Sequence, residues 1–321
     1  MTSESRPSAQ VAILLGGGVR EALMAQPVVR ACEGATVFAS GDAVGTLIEL
    51  PSLGRVVVFD DSIPELLRVF RRLRGGPFTT AVIPYPARFI HAALVYVAAL
   101  PRRFILAGAN EWAATEHFAK VPRMHPVEAN WRLAMAAGSR PLRAAGGSPR
   151  LEPSESVRSG LMARWPAFFG AGRRPLLLVP GVGSWSHAKS RPLWPAERYA
   201  VLANQCAADR VVIIAGIDDQ RAVRETRGTI VKPTMVVKLS ELTVEELAAL
   251  SALSLAVVGH DSDAVHVAAA AGALVLPIVG QMDIAPVGER VAVCAAEDFE
   301  RFPARHVLEA LSTQTRVDSY A

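Results

Sequence analysis

The sequence predicts an α/β protein of two parallel-sheet domains facing each other across a cleft. Three observations carry that expectation. At 321 residues the chain exceeds the roughly 100–200 residues of an ordinary domain. Hydrophobic residues make up 51% of it and charged residues 20%, which is enough apolar material for two buried cores. Short β-branched or leucine-rich runs alternate with longer helical patterns, the rhythm of βαβ units.

The first series of strands is expected at Val11–Leu15, Thr36–Phe38, Val56–Phe59, Thr80–Pro84 and Phe104–Leu106, within a first domain spanning 11–150 after a disordered stretch 1–10. The rhythm stops in GSRPLRAAGGSPRLEPSES, and residues 151–174 read as a linker region with one amphipathic helix, Ser154–Trp165. A second series, in a domain spanning 175–300, follows at Pro175–Pro180, Val211–Ala215, Met235–Lys238, Leu253–Val258 and Ala273–Pro277. Its clearest helices are Ala196–Ala208 and Thr243–Ser251, and residues 301–321 read as a terminal helix and tail. Ligands of such sheets bind beyond the carboxyl ends of the strands.

The 34 Lys and Arg residues are interspersed with 30 Asp and Glu, a net charge of +4. That spread lacks the basic stripe and interleaved aromatics of a nucleic-acid binder, so no nucleic-acid partner is expected. The clusters Arg68–Arg74 and Arg102–Arg103 suit a solvated helix face and loop, or else an anionic small substrate or membrane surface. Cys32, Cys206 and Cys294 are odd in number and far apart in apolar settings, which indicates neither a disulfide framework nor a zinc site and fits a reducing cytoplasm. No apolar stretch reaches the ~20 residues of a membrane helix, so any membrane contact is expected to be peripheral.

Three stretches carry candidate chemistry. In AILLGGGVREALMAQPVVRAC a strand enters Gly16-Gly17-Gly18 and a helix begins near Val19 or Arg20. Glu21 falls in its first turn, where the helix dipole favours a carboxylate; a general base and a purely structural glutamate both fit. In PGVGSWSHAKSRPLWPAERYAVLANQC, Gly181, Ser184, Lys189 and Arg191 offer small residues, a hydroxyl and cations to an anion, or form an ordinary polar loop. In GHDSDAVHVAAAAG, Asp261 or Ser262 caps a helix over Ala264–Ala271 whose N–H groups invite a phosphate. A metal cage of His260, Asp261, Asp263 and His266 lacks an i, i+4 histidine pair or a cysteine, and no metal is expected.

Taken together, the three stretches resemble glycosyltransferase family 9, the ADP-heptose:lipopolysaccharide heptosyltransferases. PLWPAERYAVLANQ, VVIIAGIDDQ and GHDSDAVHVAAAAGALVLPIVG are similar to the family's WP-x-E-x-(F/Y)-A, glycine-ended strand and D-(S/T)-G-x-x-H-x-A-A-A-x-G patterns, and GGGVREALMAQPVVRA to its looser amino-terminal one. The resemblance implies a GT-B architecture and inverting, metal-independent transfer of a sugar from a nucleoside diphosphate, most simply ADP, to a hydroxyl of a lipopolysaccharide core or small-molecule intermediate. The donor is a substrate, and no cofactor is implied.

Carried across, the resemblance puts Glu21 at the catalytic base and Gly17, Gly18, Arg20 and Arg88 on the acceptor side. Gly181, Ser184, Lys189, Arg191, Gly216, Asp261, Ser262, Asp263, Ala264, Val265 and His266 fall on the nucleotide-sugar side, with Leu242 at the nucleobase and Asp218 or Asp219 near the ribose. The sequence departs from the family at four places. Glu21 stands for Asp, Arg20 and Asp263 each for Gly, and Pro192 for a lysine whose role passes to Lys189 or Arg191. Arg20 is expected to pair with Glu21 or with a phosphate. A catalytically silent sugar-nucleotide binder and a metal-dependent hydrolase are the alternatives.

Overall fold

The computed structural model describes residues 10–48, 50–106, 110–118, 124–137, 147–170, 172–185, 193–280 and 284–318. The chain divides into two compact units after Pro149, each built on a six-stranded sheet whose strand pairs are all parallel.

The first sheet comprises β1 (Gln10–Leu14), β2 (Ala35–Ala39), β3 (Leu53–Val58), β4 (Phe78–Ile83), β5 (Arg102–Leu106) and β6 (Glu116–Phe118), in the order β3-β2-β1-β4-β5-β6. Alternation along β1 sends Ile13 and Leu15 to one face, against α1 (Val19–Ala31) and α4 (Pro126–Ala137), and Ala12 and Leu14 to the other, against α2 (Ile63–Gly75) and α3 (Phe89–Val97). Buried Asn130 of α4 ties the layers: its Oδ1 accepts from Tyr85 N, and its Nδ2 donates to Met24 O and Tyr85 O.

The second sheet repeats that order. Its strands are β7 (Leu176–Val179), β8 (Val211–Ala215), β9 (Thr234–Lys238), β10 (Ala256–His260), β11 (Val275–Val279) and β12 (Cys294–Ala295), arranged β12-β11-β10-β7-β8-β9. One face packs on α7 (Ala196–Gln205), α8 (Gln220–Thr229) and α11 (Ala304–Asp318). α9 (Val244–Ala252) and α10 (Asp263–Ala270) complete the unit.

Several boundaries differ from expectation. Residues 151–174, read as a linker, belong to the second unit and hold α5 (Glu155–Arg164) and α6 (Pro166–Phe169), with α5 against α9. Gln10, placed in a disordered end, starts β1. Leu253–Leu255 lie before β10, which runs on to His260 instead of stopping at Val258. β6 and β12 escape sequence reading because runs of three and two residues carry no periodicity. Among the described residues no helix is long and apolar enough to cross a membrane.

All three cysteines are free and buried. Desolvation pushes the Cys32 thiol up to about 12 and the Cys294 thiol to about 11, denying both the reactive thiolate. Iodoacetamide at about pH 8 is therefore expected to leave both unmodified in the folded protein and to label them after denaturation, as read by peptide mass spectrometry.

Candidate active site

In each sheet the strand order reverses beside its first strand, between β1 and β4 and between β7 and β10. The loops leaving those strands are the places where a Rossmann-like sheet holds ligand. All three motif stretches fall there.

In the first unit, β1 passes through Gly16-Gly17-Gly18 into α1. A Cβ on Gly17 would lie 2.7 Å from Glu21 Cγ, so the glutamate folds back over a residue that must stay small. Glu21 Oε2 accepts the Gly18 N–H at 3.2 Å, and Oε1 accepts from Arg20 at 2.9 Å. The carboxylate remains partly exposed, with 21% of its side chain accessible. Of the two partners expected for Arg20, the structure shows Glu21. Ser40, at the end of β2, donates to Gly17 O at 2.8 Å and holds the glycine turn.

Arg88, the residue before α3, forms an ion pair with Asp61 and packs its stem against Gly16, where a Cβ would meet Arg88 Cγ at 2.7 Å. His91 Nε2 lies 3.3 Å from the same Asp61 carboxylate. Burial lowers the His91 pKa from its ordinary value, with Asp61 opposing that shift. Asp61 and His91 escaped sequence reading. The available signal was a histidine one helical turn beyond Arg88 on an otherwise apolar helix.

In the second unit, the loop after β7 is organised by Asp219. This carboxylate, 3% exposed, accepts from Val182 N at 2.6 Å, Gly183 N at 2.9 Å and Gly216 N at 2.8 Å. A Cβ on Gly181 would lie 2.1 Å from Asp219 Cγ, so glycine is required there by contact. Gly183 is required by its φ of +58°. Of the two aspartates expected near a ribose, Asp219 is thus engaged by the loops, while Asp218 is exposed.

Ser262 is the N-cap of α10, its Oγ accepting from Val265 N at 3.3 Å, and Ala264 N donates to Gly183 O at 3.1 Å. The expectation that these amides stand free for a phosphate is corrected: two of them are already bonded, because the β7 loop closes on the helix end. Asp263, which stands for a family glycine, accepts from the Ser184 hydroxyl at 2.7 Å. His266 and Asp261 form a buried pair at 2.6 Å. His260 Nε2 accepts from Trp194 N at 2.6 Å, and its ring packs on Tyr199 and Phe299, which makes it a strut between β10 and α7. Trp194 and Tyr199 of the WPAERY stretch are themselves buried.

Leu242 is buried, with its carbonyl 3.4 Å from the Trp185 indole nitrogen. A cavity of about 480 Å³ opens beyond β8 and β9, lined by Gly216, Ile217, Gln220, Arg224, Lys238 and Ser240 among others. Apart from Gly216, this lining went unread in the sequence, because it is assembled from two strand ends and one helix. Lys189, Arg191 and Pro192 lie outside the described residues. Among the described residues no three His, Cys, Asp or Glu side chains are grouped to hold a metal ion.

Two domains of this strand order, with glycine-rich turns after the first strand of each, have the GT-B fold. The chain belongs to glycosyltransferase family 9, the heptosyltransferase family, whose model matches residues 66–311. E. coli ADP-heptose LPS heptosyltransferase II is similar in structure with a TM-score of 0.77 at 18% identity, over 97% of this chain and 99% of that one. A family 9 glycosyl transferase from Veillonella parvula gives 0.80 at 14% identity, over 98% and 99%. E. coli heptosyltransferase WaaC with ADP gives 0.70 at 14%, over 95% and 99%. At these identities the likeness concerns the fold. A search among curated proteins finds no match.

Proposed function

We propose that this glycosyltransferase moves a heptose or related sugar from an ADP-linked donor to an acceptor hydroxyl, with inversion, and that Glu21 is the general base. The observation that carries the reading is the Glu21 carboxylate: paired with Arg20, partly exposed in the first turn after β1, and oriented by the Gly18 N–H. In the reaction Glu21 takes the acceptor O–H proton as the acceptor oxygen bonds to the anomeric carbon. The bond from that carbon to the diphosphate oxygen breaks, and the nucleoside diphosphate leaves with the electron pair. Lys189 or Arg191 stabilises the departing charge. The nucleoside occupies the cavity beside Gly216 and Ile217, within reach of Asp218. The acceptor is a lipopolysaccharide core or a small-molecule intermediate, and the reaction is cytoplasmic. That a structurally similar heptosyltransferase holds ADP supports the choice of nucleotide.

Thermal unfolding in the presence of ADP-, GDP- and UDP-sugars, with and without EDTA, tests the donor. A ligand at about 100 times its Kd adds ~2.7 kcal/mol, and stabilisation confined to the ADP class and unchanged by EDTA is the expected result. Stabilisation by another class alone replaces ADP. A response lost in EDTA points to a metal, and no response to any nucleotide class overturns the donor reading.

A further inference from the structure

Of the twelve large apolar side chains exposed among the described residues, six lie together on and beside α2 and α3. Ile63 and Leu67 lie on the solvent face of α2, at 74% and 48% exposure, and that face continues at helical spacing into the exposed Arg71 and Arg74. Neighbouring α3 exposes Phe89, Tyr96 and Val97. Trp112, in the short helix Glu111–Ala113 after β5, closes an aromatic trio with ring centroids 5.6 Å from Phe89 and 5.3 Å from Tyr96.

The trio is held rigidly. Arg103 donates to Ala113 O at 2.6 Å with its guanidinium 5.6 Å from the Tyr96 ring, and Asn110 donates to Ala87 O at 2.8 Å. The Asp61–Arg88 ion pair fastens the start of α3 to the segment that leads into α2, setting Ile63 and Phe89 on one rim of the sheet. Ordered aromatics standing in water beside arginines have the composition of a bilayer interface, where rings settle at headgroup depth and cations meet lipid phosphates. Residues 60–103 carry seven arginines and three carboxylates. That excess is complementary to an anionic surface and repels a second copy presenting the same face.

We propose that the outer face of α2 and α3 with Trp112 docks the protein on an anionic phospholipid bilayer. The rim it shares with Arg88 and the glycine turn faces the acceptor side of the transfer reading, on which the biological use of docking rests. The binding itself does not depend on it.

Flotation of the full chain with vesicles of phosphatidylcholine, alone or mixed equally with phosphatidylglycerol, provides the test, in the absence of nucleotide. Binding is expected only to the mixed vesicles and is expected to weaken with salt. Arg71→Gln with Arg74→Gln lowers the partition coefficient roughly 25-fold, about fivefold per arginine. Phe89→Ser with Trp112→Ser abolishes flotation while stabilisation by nucleotide is retained, which keeps failure of docking separate from failure of the donor reading. No binding by the unaltered protein, or equal binding by both double variants, overturns the proposal. So does a dimer in sedimentation velocity that the serine variant dissociates, because the face then belongs to self-association.

Discussion

Glu21→Gln is expected to reduce kcat for sugar transfer by about 10²- to 10⁴-fold, with the affinity for nucleotide unchanged, because it removes a proton acceptor and little else. The glutamine oxygen can still take the Gly18 N–H, and the side chain that covers Gly17 keeps its length. The lost partner of Arg20 matters little for folding, since both side chains are partly exposed and such pairs contribute only about 0–1 kcal/mol. Initial rates at saturating donor and acceptor, together with nucleotide titration of the same variant, check the split. Glu21→Asp, which restores the residue of the family pattern, should recover much of the rate. Full activity in the glutamine variant would remove Glu21 from the chemistry and leave it as a cap for α1.

Asp219→Ala should destabilise the second unit by about 4 kcal/mol and weaken nucleotide binding with it. Three backbone N–H groups, from Val182, Gly183 and Gly216, lose one buried charged acceptor together, and hydrogen bonds to charged groups contribute roughly 1.5–3 kcal/mol each before relaxation. The β7 and β8 loops, which border the candidate nucleotide side, lose their common anchor. In a domain of this size the corresponding fall in Tm is about 10 °C. Thermal unfolding and nucleotide titration on the one variant separate the roles: an unchanged Tm with lost affinity would return Asp219 to the ribose contact that its place in the sequence suggested.

These two residues show how far a position in the fold can be read from the sequence. Glu21 was legible because its neighbours are local: a strand, three glycines and a helix start place it at the mouth of a sheet by chain order alone. Asp218 and Asp219 are the same residue type side by side, and periodicity has no means of choosing between them. The choice is made by where α8 begins, which turns Asp219 inward onto amides from a loop 37 positions earlier. His260 likewise read as a polar loop residue beyond a strand ending at Val258. In the fold it is the last residue of β10, and burial is tolerated because its ring nitrogen takes the Trp194 N–H.

The sequence by itself determined the two-domain α/β class, most strand and helix cores, and the turns where ligands gather, because alternation of apolar residues and glycine punctuation are properties of neighbouring positions. Only the tertiary structure decided which polar groups in those turns remain available. It assigned Arg20 to Glu21, Ser184 to Asp263 and the amides of Ala264 and Val265 to the loop and cap around them. It also gathered the cavity beside Ile217 and the exposed aromatic face of α3 from separate elements. The physical reason is that hydrogen-bond partners and exposure are set by distance in space, and a βαβ fold brings strand ends tens of residues apart to the same edge of a sheet.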